Sequence, residues 1–99
     1  MDRSSDQRSN PREPMHQVVR FERSAGDLEP EHRGVAHGVG CDISEQGLSL
    51  LTDCFLGQGE VLKLHIPLAE DRASVPVFSD VRWVRRESEG FRVGLQFLA

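Results

Sequence analysis

From residue 16 onward, apolar side chains recur at every second position in short runs, and glycine, proline and acidic residues separate the runs. A period of two marks a strand with one buried face, whereas an amphipathic helix repeats its apolar residues at three and four. Val18, Val19 and Phe21 open the pattern. Gly34 to Ile43 reads as a β-branched strand containing glycines and Gly47 to Leu51 as the next, joined by the tight connection Asp42-Ile-Ser-Glu-Gln-Gly47. In Glu60 to Pro67, Leu62, Leu64 and Ile66 fall on one face and Val61, Lys63 and His65 on the other. Val75 to Arg85 places Val75, Val77, Val81 and Trp83 in one register, with Pro76 marking an edge or entry because proline has no N–H to give a ladder. The last run alternates most clearly: Phe91, Val93, Leu95 and Phe97 share a face opposite Arg92, Gly94 and Gln96, after the turn Glu87-Ser-Glu-Gly90. Gly57-Gln-Gly59 and Ala69-Glu-Asp-Arg-Ala73 supply a further turn and loop. Six strands in about 80 residues predict a closed or nearly closed antiparallel barrel.

Composition bounds this picture. The chain has 99 residues, 37% hydrophobic and 28% charged, which fits one domain with a thin core burying about 60% of its unfolded surface. Residues 1–15 contain Arg, Asp, Ser, Asn and Pro with little to bury, so they read as a flexible tail, and the domain is expected over 16–99. No apolar run approaches the roughly 20 residues of a membrane helix, and the N-terminus lacks the hydrophobic stretch of a secretory signal, so a cytoplasmic protein is expected. In that compartment Cys41 and Cys54 are expected to stay reduced as small, mostly buried groups. A net charge of -4 disfavours DNA or RNA as a partner, because phosphate neutralisation needs a basic surface; a local arginine cluster remains compatible with a small anion.

With Asp42, Ser44 and Gly47 in a strand-turn context, Leu48-Ser-Leu50 after them, Val81-Arg-Trp83 in a later strand and Val93-Gly-Leu-Gln-Phe97 at the close, the chain resembles the PilZ domain family. Members carry an Arg-x-x-x-Arg motif before the first strand and an (Asp/Asn)-x-Ser-x-x-Gly motif between the second and third. The resemblance implies an all-β, six-stranded antiparallel PilZ-type barrel with a flexible N-terminal arm. The long C-terminal helix common in the family is not expected here, since two residues follow Phe97 in this sequence. The second motif is complete. For the first, Arg20 matches the second arginine, and four positions upstream stands His16 rather than arginine. The other alignment pairs Arg12 with His16.

The resemblance further implies binding of cyclic di-GMP. Arginine suits its phosphates and guanines, since the guanidinium fork donates two parallel hydrogen bonds to phosphate oxygens or to guanine O6 and N7. By the same resemblance, Asp42 accepts from a guanine N–H edge, Ser44 bonds the ligand or holds the turn, and Gly47 permits a backbone conformation or close approach. The ligand-binding set is then Arg20, His16, Arg12, Asp42, Ser44 and Gly47, with Arg23 a weaker candidate. Imidazole lacks the guanidinium fork, so His16 weakens one contact by about 10–150-fold unless Arg12 or Arg23 replaces it.

No nucleophile and base stand together, so a binding module rather than an enzyme is expected, with no cofactor. His32, His37, Cys41 and Cys54 match no closed zinc pattern, and no metal is expected. Trp83 is expected in the core or at a barrel edge, and His65 simply exposed. The expected function is a cyclic di-GMP receptor whose N-terminal arm orders on the ligand and alters binding of a downstream protein in motility or biofilm signalling. The alternative is a nucleotide-independent PilZ interaction module of the motility or pilus-assembly type. The uncovered barrel rim adds a homodimer to the expected partners.

Overall fold

The computed structural model describes residues 11–23, 34–68 and 73–98. Seven strands follow one another: β1 (Glu13–Pro14), β2 (Val18–Arg23), β3 (Val35–Ile43), β4 (Gly47–Thr52), β5 (Val61–Pro67), β6 (Ser74–Glu87) and β7 (Gly90–Phe97). Every pairing is antiparallel, in the order β3-β2-β5-β6-β7-β4, and β4 pairs back onto β3. Six strands thereby close a barrel, and closure removes the unpaired edges of an open sheet. No described residue is helical, so no helix here is long and apolar enough to cross a membrane.

The alternating apolar residues form the core. Val19 and Phe21 of β2, Leu48 and Leu50 of β4, Leu62 and Leu64 of β5, Val81 of β6, and Val93 and Leu95 of β7 are buried together with Leu56. Each such side chain contributes about 1.5–3 kcal/mol by leaving water, so strict alternation fixes which face turns inward. Polar chemistry seals the ends. Arg23 donates from Nε to Glu60 Oε2 (2.6 Å) and from a terminal nitrogen to Glu60 Oε1 (3.0 Å), while the Gly57 N–H donates to the same carboxylate at 3.0 Å. Burial pushes the Glu60 carboxyl up, but the bonds from Arg23 and Gly57 and the charge of Arg23 outweigh it and hold the group below its ordinary value. The Glu60 hydrogen bond in turn raises Arg23, so this arginine is a fixed cation in the wall.

Two irregularities depart from strict alternation. In β6 the register shifts between Val81 and Trp83, so Arg82 is an extra residue: Val81 stands opposite Leu95, but Trp83 is opposite Gly94 and Val84 opposite Val93. Trp83 therefore leaves the face it was expected to share with Val75, Val77 and Val81, and lies on the outer wall, 43% exposed. In β3 the register shifts between Gly40 and Asp42, making Cys41 the extra residue and setting Asp42 opposite the outward-facing Ser49. Bulges re-aim side chains in this way by adding one residue on one strand only.

The chain joins the barrel before residue 16, where composition suggested a tail. Glu13 and Pro14 pair with Ile43 and Asp42, the Met15 N–H donates to the Cys41 carbonyl at 3.0 Å, and the Met15 thioether packs against Gly40. His65 is not merely exposed; its Nε2 lies 2.7 Å from Glu22 Oε2 across the β2–β5 ladder. Among the described residues, no group of His, Cys, Asp and Glu is arranged to hold a metal, and His32 lies outside them.

Candidate functional site

The two bulges deliver Asp42 and Trp83 to the same outer wall, formed by the end of β3 with β4, β7 and β6. The turn after Asp42 is held by its own backbone and side chains. Ser44 N–H donates to the Gly47 carbonyl at 2.8 Å, Gln46 N–H donates to Ser44 Oγ at 3.2 Å, and Phe97 N–H donates to the Gln46 carbonyl at 2.8 Å. Gly47 has no left-handed φ, so its requirement is space: a Cβ there would collide with the Leu95 carbonyl of β7.

Over this turn lies the lead-in segment. Arg12 Nε donates to Asp42 Oδ1 at 2.8 Å, and an Arg12 terminal nitrogen reaches Ser44 Oγ at 3.4 Å. β1 sets this geometry, because Pro14 pairs with Asp42 and leaves Arg12 just beyond it. Between segment and wall is a cavity of about 450 Å³ lined by Arg12, Arg82, Arg85 and Arg92, with Asp42 as the only carboxylate among its lining residues. A chain of net charge -4 thus gathers four guanidinium groups around one cavity. Such a focus of positive charge in a concave site selects anions.

The floor is aromatic and polar. Trp83 lies so closely on Gly94 that a Cβ on that glycine would fall within the indole. The Arg85 guanidinium carbon is 5.6 Å from the Trp83 ring centroid, within cation–π range. Arg85 and Arg92 stand directly opposite each other on β6 and β7, and Glu87 lies 3.1 Å from the first and 3.3 Å from the second. Ser49 Oγ is a buried polar atom without a hydrogen-bond partner among the described residues, and Ser49 lines the cavity. Buried polar atoms left unmade in this way are suited to take a ligand's hydrogen bonds.

The residues singled out from sequence divide into two groups. Arg12, Asp42 and Gly47 line the cavity, and Ser44 holds the turn beside it, 3.4 Å from Arg12. Arg20 sits on β2 opposite His37 and His65, on the other side of the barrel, and His16 is exposed and does not line the cavity. Arg23 is engaged by Glu60.

The family model for the PilZ domain matches residues 6–99. The chain belongs to the PilZ domain family. Its fold matches the structure of the Bacillus subtilis inhibitor of motility MotI/DgrA with a TM-score of 0.72 at 18% sequence identity, covering 100% of this chain and 44% of that one. The chain therefore spans less than half of that protein's length. No curated protein sequence matches it. PilZ domains are receptor and adaptor modules, and this one is a signalling adaptor domain of that kind.

Within this PilZ domain, the match begins upstream of an intact Arg-x-x-x-Arg spacing, Arg8-Ser-Asn-Pro-Arg12, which ends on the arginine that meets Asp42. Sequence reading passed over it because residues 1–15 looked like a tail. Arg8 lies outside the described residues. Arg82, Arg85, Arg92 and Trp83 were also missed, although the pairing of Arg85 with Arg92 was a legible signal: like charges opposed on neighbouring strands are unfavourable unless something compensates them.

Proposed function

We propose that this PilZ domain is a cyclic di-GMP receptor in which Arg12, with Arg8, serves as the arginine motif. The observation that carries the reading is the direct contact of Arg12 with Asp42 and Ser44 at the mouth of an arginine-lined cavity. Without ligand, Asp42 accepts from Arg12. A guanine N–H edge offers the carboxylate the same kind of bond, and the released guanidinium then turns to phosphate or to guanine O6 and N7. The exchange costs little, because an exposed ion pair contributes about 0–1 kcal/mol. Arg82, Arg85 and Arg92 supply counter-charge for two phosphates, and the Trp83 face supports a base.

Ligand binding in this scheme moves the Arg12 segment relative to the turn, and the new arrangement is what a downstream protein reads. Motility control is the favoured process, on the strength of a fold shared with a protein described as an inhibitor of motility. The nucleotide-independent alternative drew its support from the histidine at position 16, and Arg8-x-x-x-Arg12 removes that ground. Titration calorimetry with cyclic di-GMP tests the proposal: saturable heat that disappears in Arg12→Ala is expected. A wild-type domain giving neither heat nor amide shift changes at high micromolar ligand would refute it.

A further inference from the structure

The cavity uses β4, β6 and β7. On the opposite side of the barrel, the outer face of β3, β2 and β5 carries a row of three cation-capable side chains: His37 on β3 stands opposite Arg20 on β2, and Arg20 stands opposite His65 on β5. Directly opposed residues have Cβ atoms about 4.5–5.5 Å apart, so the three groups form one continuous site. Lys63 follows on the same face of β5, opposite Glu22. Around this row are exposed β-branched residues: Val18 at 58%, Val39 at 41% and Val35 at 60%. Val18 pairs with Val39, and Val35 with Glu22, so the valines flank the row rather than scatter.

We propose that this face docks an acidic, β-branched segment of a partner protein. The proposal names a partner chemistry for the adaptor described above and does not require the nucleotide to bind. The positive row calls for carboxylates and the valines for apolar side chains between them. Glu22 stands in the middle of the face, and its one aromatic neighbour, Phe78 opposite Lys63, lies at the margin, which argues against nucleic acid, since that needs phosphate neutralisation and successive stacking platforms.

Each imidazole has its own surroundings. His65 faces Glu22 and Arg20 on β2, Lys63 on its own strand, and Pro76 across on β6. His37 faces Arg20 on β2, and on the β4 side the Thr52 hydroxyl donates to its carbonyl at 3.1 Å.

The test is an amide-shift titration of the labelled domain with a short peptide of alternating glutamate and valine, and with its lysine-valine counterpart. Shifts centred on Arg20, His37, His65 and Lys63 are expected with the acidic peptide alone. Arg20→Glu removes the response. Any of four results overturns the proposal: no response, shifts confined to Arg12, Arg82, Arg85 and Arg92, a stronger response of the same amides to a single-stranded oligonucleotide, or self-association of the domain through this face. Cyclic di-GMP calorimetry on Arg20→Glu keeps the two readings apart, because that variant retains nucleotide heat while losing the peptide, and Arg12→Ala does the reverse.

Discussion

Trp83 packs closely against Gly94 across the β6–β7 ladder, on the outside of the barrel. The contact exists only because Arg82 bulges; were Arg82 an ordinary strand residue, the indole would face the core with Val81. It turns the largest aromatic side chain into one wall of an arginine-lined cavity, with Arg85 over its ring.

Since Trp83 is the single tryptophan, its fluorescence reports on the cavity directly. Cyclic di-GMP should change its emission saturably. Base stacking on an aromatic contributes about 1–3 kcal/mol, so Trp83→Ala should weaken binding by roughly 5- to 150-fold while the barrel stays folded. Gly94→Val, which drives a side chain into the indole, should shift the emission and weaken the ligand without any change to a charged group. Unchanged affinity in both variants, measured by calorimetry, would remove the aromatic wall from the site.

The two arginine alignments make opposite predictions. With Arg8 and Arg12 as the motif, Arg8→Ala and Arg12→Ala each lose a charge-assisted contact and should weaken cyclic di-GMP by about 1–3 kcal/mol, roughly 5- to 150-fold. Arg20→Ala should bind within about twofold of wild type, because its side chain projects from the far wall beside His37 and His65. Calorimetry on the three variants decides. Loss confined to Arg20→Ala would restore the alignment on His16 and Arg20.

What made the barrel legible and the site obscure is the same rule. Val19 and Phe21, Leu62 and Leu64, and Val93 and Leu95 obey period two, and burial enforces it, so the inward faces of β2, β5 and β7 could be assigned from sequence. Cys41 and Arg82 break the period by one residue each, and one inserted residue looks like any other strand position. Asp42 was nevertheless recognisable, because the turn motif names it. Trp83 was placed by its register with Val81, which pointed to the core or a barrel edge and not to a cavity on the outer wall. Arg12 was hidden differently: its neighbours are polar, but backbone pairing through Glu13, Pro14 and Met15 anchors it, and no side-chain pattern announces backbone pairing.

Gly47 should be intolerant of any side chain although its backbone is ordinary. Its would-be Cβ meets the Leu95 carbonyl, a ladder atom that cannot rotate away. Gly47→Ala must then separate β4 from β7 locally and should destabilise the domain by about 1–3 kcal/mol in urea denaturation. Gly57→Ala, with open space around the same position, is the control and should change stability by no more than about 0.5 kcal/mol. Equal midpoints for the two variants would mean that the β4–β7 contact yields easily and that Gly47 is not held by the close approach.

Glu60 sets the acid limit of the barrel wall. Its folded carboxyl titrates below its ordinary value, because Arg23 and the Gly57 N–H favour the charged form more than burial opposes it. A depressed carboxyl contributes stability that is fully present above the unfolded value, near pH 4.5, and that is lost as the pH falls through the lower folded value. Wild-type stability should therefore decline as the medium is acidified below about pH 5. Glu60→Gln should begin lower by about 1–2 kcal/mol at neutral pH, since it leaves Arg23 half-buried without its counter-charge, and should show a shallower acid decline. Urea midpoints for both proteins across that range measure the difference. Parallel curves would show that other carboxylates, such as Glu22 beside His65, control the acid transition instead.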